Sequence, residues 1–77
     1  MQLGTRWAAG GEPPARLSPA VIDAIRVVDG TVAGVTPAPR WTLTWLEGRP
    51  IAELDDGATV TIVTTDAAGS VVVRTED

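Results

Sequence analysis

Three turn signals divide the second half of this chain and leave it few ways to fold. Glu47-Gly48, Asp55-Asp56-Gly57 and Asp66-Ala67-Ala68-Gly69 each lead acidic or small residues into a glycine, the chemistry of tight turns. The stretches between them are rich in Val, Ile and Thr, which suit a pleated surface. Before them, Trp41-Thr42-Leu43-Thr44-Trp45 alternates apolar and polar residues, the period of a half-buried strand. The spacing predicts four strands, at about 41–46, 50–55, 59–65 and 70–75, joined as a meander of hairpins.

The hydrophobic pattern then predicts a register, because a one-residue slip moves every side chain to the other face. A two-residue turn at 47–48 sets Leu43 opposite Ala52 and Trp41 opposite Leu54. A three-residue turn at 56–58 sets Ala52 opposite Ile62 and Leu54 opposite Val60. A four-residue turn at 66–69 sets Ile62 opposite Val73 and Thr64 opposite Val71. One face then carries Trp41, Leu43, Trp45, Ala52, Leu54, Val60, Ile62, Val71 and Val73. On the other face Thr44, Ile51, Val63 and Val72 form one row, beside Thr42, Glu53, Thr61 and Arg74.

The first half contains one helix. Ser18 is a good N-cap, and Pro19 falls at the first helical position, where a missing N–H costs nothing. Leu17 and Ile22 occupy the two positions of a hydrophobic staple. Val21, Ile25 and Val28 recur at helical spacing, and Gly30 is a natural stop. The helix should span about 19–29. Thr31–Val35 is read as a short strand or a frayed helix end. Met1–Trp7 could form another strand around Leu3, and Gly10, Gly11, Pro13 and Pro14 make 8–16 a loop. The fold class predicted is α+β: one helix packed on a four- or five-stranded antiparallel meander. A single domain spans 1–77, with an irregular segment over 1–16, the helix within 17–30 and the meander over 40–76.

Composition narrows the function. The chain has 77 residues and no cysteine. A chain this short buries only about 60% of its unfolded surface, and it gains no help from a disulfide. His, Lys, Tyr, Phe and Asn are also missing, a pattern expected of a GC-rich bacterial gene. Without His, Cys, Lys or Tyr there is no imidazole base, thiolate, Schiff base or phenol. Serine and cysteine nucleophile schemes and the usual zinc sites are therefore excluded.

The net charge is −4. The six arginines are scattered, without the basic patch of a nucleic-acid binder. The same balance disfavours an anionic membrane surface, and no apolar run approaches the roughly 18 residues of a membrane span. The start of the chain lacks the pattern of a signal peptide and is read as the native start of a cytoplasmic protein. No phosphate loop follows Gly10-Gly11. Glu53, Asp55 and Asp56 form the one acidic cluster. They read as a turn rather than as an acid–base pair or a calcium loop, which would need later oxygen ligands.

Two features remain as candidate contact sites. The row Ile51, Val63 and Val72 puts aliphatic side chains where water is expected, and contiguous apolar patches mark interfaces. Trp7 borders the Gly-Pro loop and reads either as a cap on the core or as a contact residue. Trp41 and Trp45 belong with the core, and Arg40 and Arg49 border the first hairpin as solvated charges. The function expected is a non-catalytic protein–protein interaction module that needs no cofactor. It would self-associate or act as the small subunit or adaptor of a complex, through Ile51, Val63, Val72 and Trp7. The alternatives are a peptide- or sugar-binding module using exposed tryptophan and, more remotely, a carboxylate-dependent enzyme.

Overall fold

A computed structural model of the chain describes residues 4–76. Five strands form one antiparallel sheet in sequence order: β1 (Thr5–Ala8), β2 (Arg40–Leu46), β3 (Arg49–Asp55), β4 (Val60–Thr65) and β5 (Val71–Glu76). Helix α1 (Pro19–Thr31) lies between β1 and β2 in the chain and packs on one face of the sheet, nearest β4 and β5. The α+β expectation holds, with the fifth strand supplied by β1. The expected strand around Leu3 falls at Thr5–Ala8, and Leu3 itself lies outside the described residues.

The helix begins as its sequence dictates. Ser18 is the N-cap, and its side-chain oxygen accepts from the Val21 N–H. Val21, Ile25 and Val28 are buried along one stripe, and Leu17 is buried at its foot. The helix runs through Gly30 to Thr31 rather than stopping near 29, and the Thr31 hydroxyl donates to the Val28 carbonyl at 2.7 Å. Residues 32–35 are not a strand.

The first hairpin has the expected register: Leu43 pairs with Ala52 and Trp41 with Leu54. Its two-residue turn takes positive φ at both Glu47 (52°) and Gly48 (77°), the conformation whose twist matches the strands.

The next two loops are each one residue longer than the hydrophobic pattern predicts, and this reverses β4. Asp55 pairs with Val60, which leaves 56–59 as a four-residue loop. The Asp56 carboxylate accepts from the Ala58 and Thr59 N–H groups, and Asp56 N–H donates to the Thr59 carbonyl. In the last loop Thr65 pairs with Val71, and the Asp66 carboxylate accepts from the Ala68 and Ser70 N–H groups. The first extra residue turns β4 over. The second turns β5 back, so Val71 and Val73 face the helix side as expected.

Ala52 therefore pairs with Val63, and Val63 with Val73. Leu43, Ala52 and Val63 form one row under the helix, each no more than 1% exposed. Val63 belongs to the core and not to the outer row. Val60 and Ile62, expected inside, point outward with Thr64. The physical cause is turn chemistry. The two aspartates close their loops through backbone N–H groups, and β4 has aliphatic residues in both phases, so either orientation buries some of them.

Two predictions follow from this register. Val63→Asp puts an unpaired charge in a dry position and should cost about 3 kcal/mol or more, whereas Leu46→Asp at an exposed outward position should change stability little; urea unfolding would compare them. The second concerns acid. Hydrogen bonds from the Thr59 and then the Ala58 backbone hold the Asp56 carboxyl below the ordinary aspartate value of 3.8. A lowered folded value stabilises above the unfolded one and is lost as pH falls through the folded one. The gap in unfolding midpoint between the natural chain and Asp56→Asn should therefore narrow as pH drops below 3.8.

Candidate functional site

The acidic cluster is a turn. Asp55 accepts from the Gly57 N–H at 2.9 Å, and Asp56 from Ala58 and Thr59. Glu53 sits apart on the outward side of β3, exposed, between Thr42 and Ile62. Among the described residues no three acidic groups come together as a metal site would need.

The tryptophans pack on the helix side. Trp7 pairs with Trp41 across β1 and β2, and their rings stack with centroids 6.0 Å apart and planes 14° from parallel. Trp41 is fully buried, and its indole N–H donates to the Asp29 carboxylate on the helix at 2.8 Å. Trp7 is 9% exposed, so of the two readings of Trp7 the geometry takes the core one. Its Nε1 is buried with no partner among the described residues. Trp45 is half-buried, with the Arg16 guanidinium 5.6 Å from its ring centre.

The outward face is what the fold leaves open. Just before the helix, Leu17 joins the core and the Arg16 guanidinium lies over Trp45, both on the helix side. No described helix or strand covers the opposite face, and the Val35–Pro39 segment borders it beside Arg6 and Arg40. The row expected there survives with one exchange: Thr44, Ile51, Thr64 and Val72 lie side by side, with Thr64 in place of Val63. The neighbouring row gains Ile62, between Glu53 and Arg74. Ile51, Ile62 and Val72 thus form an aliphatic cluster, extended by Leu46, which is 52% exposed. Ile62 is only 6% exposed although no element overlies it. Its register partners on either side are Glu53 and Arg74, long side chains with apolar stems that can lie along an aliphatic neighbour.

This cluster floors a shallow depression of about 350 Å³, bordered by Arg49, Arg74 and Asp66. Arg49 is fixed by a 3.2 Å hydrogen bond to the Thr65 carbonyl. The Thr64 hydroxyl donates to the Pro50 carbonyl at 2.7 Å, so one polar group of the row is satisfied within the sheet. A second, wider hollow of about 540 Å³ lies at the other end of the face, between the Val35–Pro39 segment, Arg6 and Arg40.

Charge on the outward face is of both signs. Arg6, Arg40, Arg49 and Arg74 all point outward from the sheet, against Glu53, Asp55 and Glu76. The loop carboxylates Asp56 and Asp66 border the two hollows of the same face. Elsewhere one exposed ion pair, Arg26 with Glu12, meets at 3.5 Å.

Sequence reasoning named Ile51 and Val72 for this surface and missed Ile62 and Leu46. The alternation in Arg40–Leu46 placed Leu46 opposite to Trp45, and that signal was available. Ile62 could not be assigned without the length of the 56–59 loop. Comparison with known proteins finds no matching family, no matching curated protein and no matching solved structure.

The two indoles allow one clean prediction. Trp7→Phe and Trp41→Phe remove the same volume, but only the second breaks a hydrogen bond and strands the Asp29 carboxylate. Trp41→Phe should be the more destabilising by about 1–2 kcal/mol, and Asp29→Ala should reproduce most of that difference in chemical unfolding.

Proposed function

We propose that this chain is a non-catalytic protein–protein interaction module whose contact surface is the outer face of the sheet. The observation that carries the reading is the aliphatic cluster of Leu46, Ile51, Ile62 and Val72 on a face that no described helix or strand covers. Apolar clusters rimmed by polar groups are the usual mark of a contact site. A small domain also gains stability by burying such a face.

The chemistry of the partner follows from the rim. Arg49 and Arg74 flank the apolar floor, and arginine is favoured at interfaces for its planar, multidentate donors. Apolar side chains for the floor and carboxylates for the rim would complement this surface. An acidic, amphipathic segment of another protein fits that description. Arg49 and Arg74, at the rim of the apolar floor, would pair with the carboxylates of such a segment. A tryptophan platform for sugars or peptides has less support, because Trp7 is stacked in the core and Arg16 lies over Trp45.

Ile51→Asp tests the reading, since it changes the floor and lies far from the sheet edges. The partner retained by the natural chain from a lysate of its source, once purified, would be titrated against both forms. Affinity should fall by about tenfold or more in the variant with the thermal midpoint little changed, and should weaken with salt. A partner bound equally by both forms would overturn the assignment of this face.

A further inference from the structure

The backbone of the last strand carries an independent inference. In an antiparallel ladder, facing residues alternate between pairs that exchange both hydrogen bonds and pairs whose N–H and C=O groups point away. The loop closures fix the phase. Asp66 N–H donates to the Ser70 carbonyl at 2.9 Å, so the bonded positions that follow are Thr64 with Val72 and Ile62 with Arg74. The N–H and C=O groups of Val71, Val73 and Thr75 therefore point away from β4, into the open edge.

The other edge of the sheet is different. Ala9 N–H donates to the Pro39 carbonyl at 2.8 Å, which makes Trp7 with Trp41 and Thr5 with Leu43 the bonded pairs. Only Arg6 and Ala8 of β1 point outward, and the Ala8 carbonyl already accepts from the Gly11 N–H at 2.9 Å. The β1 edge is short and partly closed on itself. The β5 edge runs for six residues without a proline or a break in register, and Val73 on it is 49% exposed. Long regular edges with free backbone groups are templates for another strand.

We propose that the occupant of this edge is a second copy of the chain, with the two β5 strands antiparallel about a two-fold axis through Val73. The strand is self-complementary in that register alone. Val73 meets the second copy's Val73, and Val71 meets its Thr75, so every outward N–H and C=O finds a partner. Both helices then lie on the same side of the joined sheet. On the outer side Val72 meets the second copy's Arg74, whose stem is apolar. Centring the pair on Arg74 instead would set two like charges directly opposite, which is destabilising. Centring it on Val72 would run Thr75 past the end of the facing strand. The proposal does not depend on the use of the outer face, but it would join two such faces into one continuous surface.

A strand edge alone is a small interface, so the test spans about 10 μM to 1 mM protein. Sedimentation equilibrium of the full chain should show the 8.0 kDa monomer giving way to a species of twice that mass. Val73→Pro should stay monomeric throughout and keep its fold, because the N–H it removes points to the open edge. Hydrogen exchange on the natural chain needs no variant. The amides of Val71, Val73 and Thr75 should exchange about tenfold more slowly once nine-tenths of the chain is paired, while the exposed turn amides of Ala67 and Gly48 stay unchanged. A chain that remains monomeric over the whole range overturns the proposal. So does a folded Val73→Pro that dimerises as the natural chain does, or a dimer in which the three β5 amides gain no protection.

Discussion

One helix has to serve a five-stranded sheet, and most of the structure follows from that shortage. A helix is about 10 Å across with its side chains, and strands lie about 4.8 Å apart, so α1 can cover two or three of them. It sits toward β4 and β5. The β1–β2 side of the same face is filled instead by large side chains: Trp7 stacks on Trp41, and Leu17 is buried at the foot of the helix. In a chain without Phe or Tyr the indoles do the work of a second layer. The Trp41–Asp29 hydrogen bond ties the end of the helix to this aromatic end of the sheet.

Among the described residues no second helix or strand is left for the other face. Its residues are Thr, Arg and Glu with a few aliphatics among them, and that mixture suits a surface that is wet when free and dry when bound. Four of the six arginines point outward there, with the loop carboxylates Asp56 and Asp66 at the border of the same face. The edges are unequal. One is short and closed by a loop; the other is long and open.

The course of β4 shows how little separates two registers. Val60-Thr61-Ile62-Val63-Thr64-Thr65 holds aliphatic residues in both phases. Turned one way it buries Val60 and Ile62; turned the other it buries Val63 and leaves Ile62 outward, between Glu53 and Arg74. Both phases of β4 offer aliphatic residues to the core, so the short-range chemistry of Asp56 and Asp66 decides. Each carboxylate satisfies backbone N–H groups that a shorter loop would arrange differently. β5 faces as the pattern predicts only because two one-residue differences cancel.

What the sequence determined by itself is therefore the set of elements and their coarse packing. The N-cap at Ser18, the apolar stripe of Val21, Ile25 and Val28, the two-residue turn at Glu47-Gly48 and the alternation in β2 are local signals, and each is realised where local chemistry predicts. Half of the candidate surface was legible in the same way, since Ile51 lies on a strand whose phase the first turn sets. The tertiary structure decided the rest. Whether Val63 or Ile62 faces the helix depends on loop lengths that differ by one residue. Whether Trp7 is a core or a contact residue depends on β1 docking beside β2, a pairing more than thirty residues apart in the chain. Both are non-local choices, set by loop closure and by strand docking, and no local pattern distinguishes them.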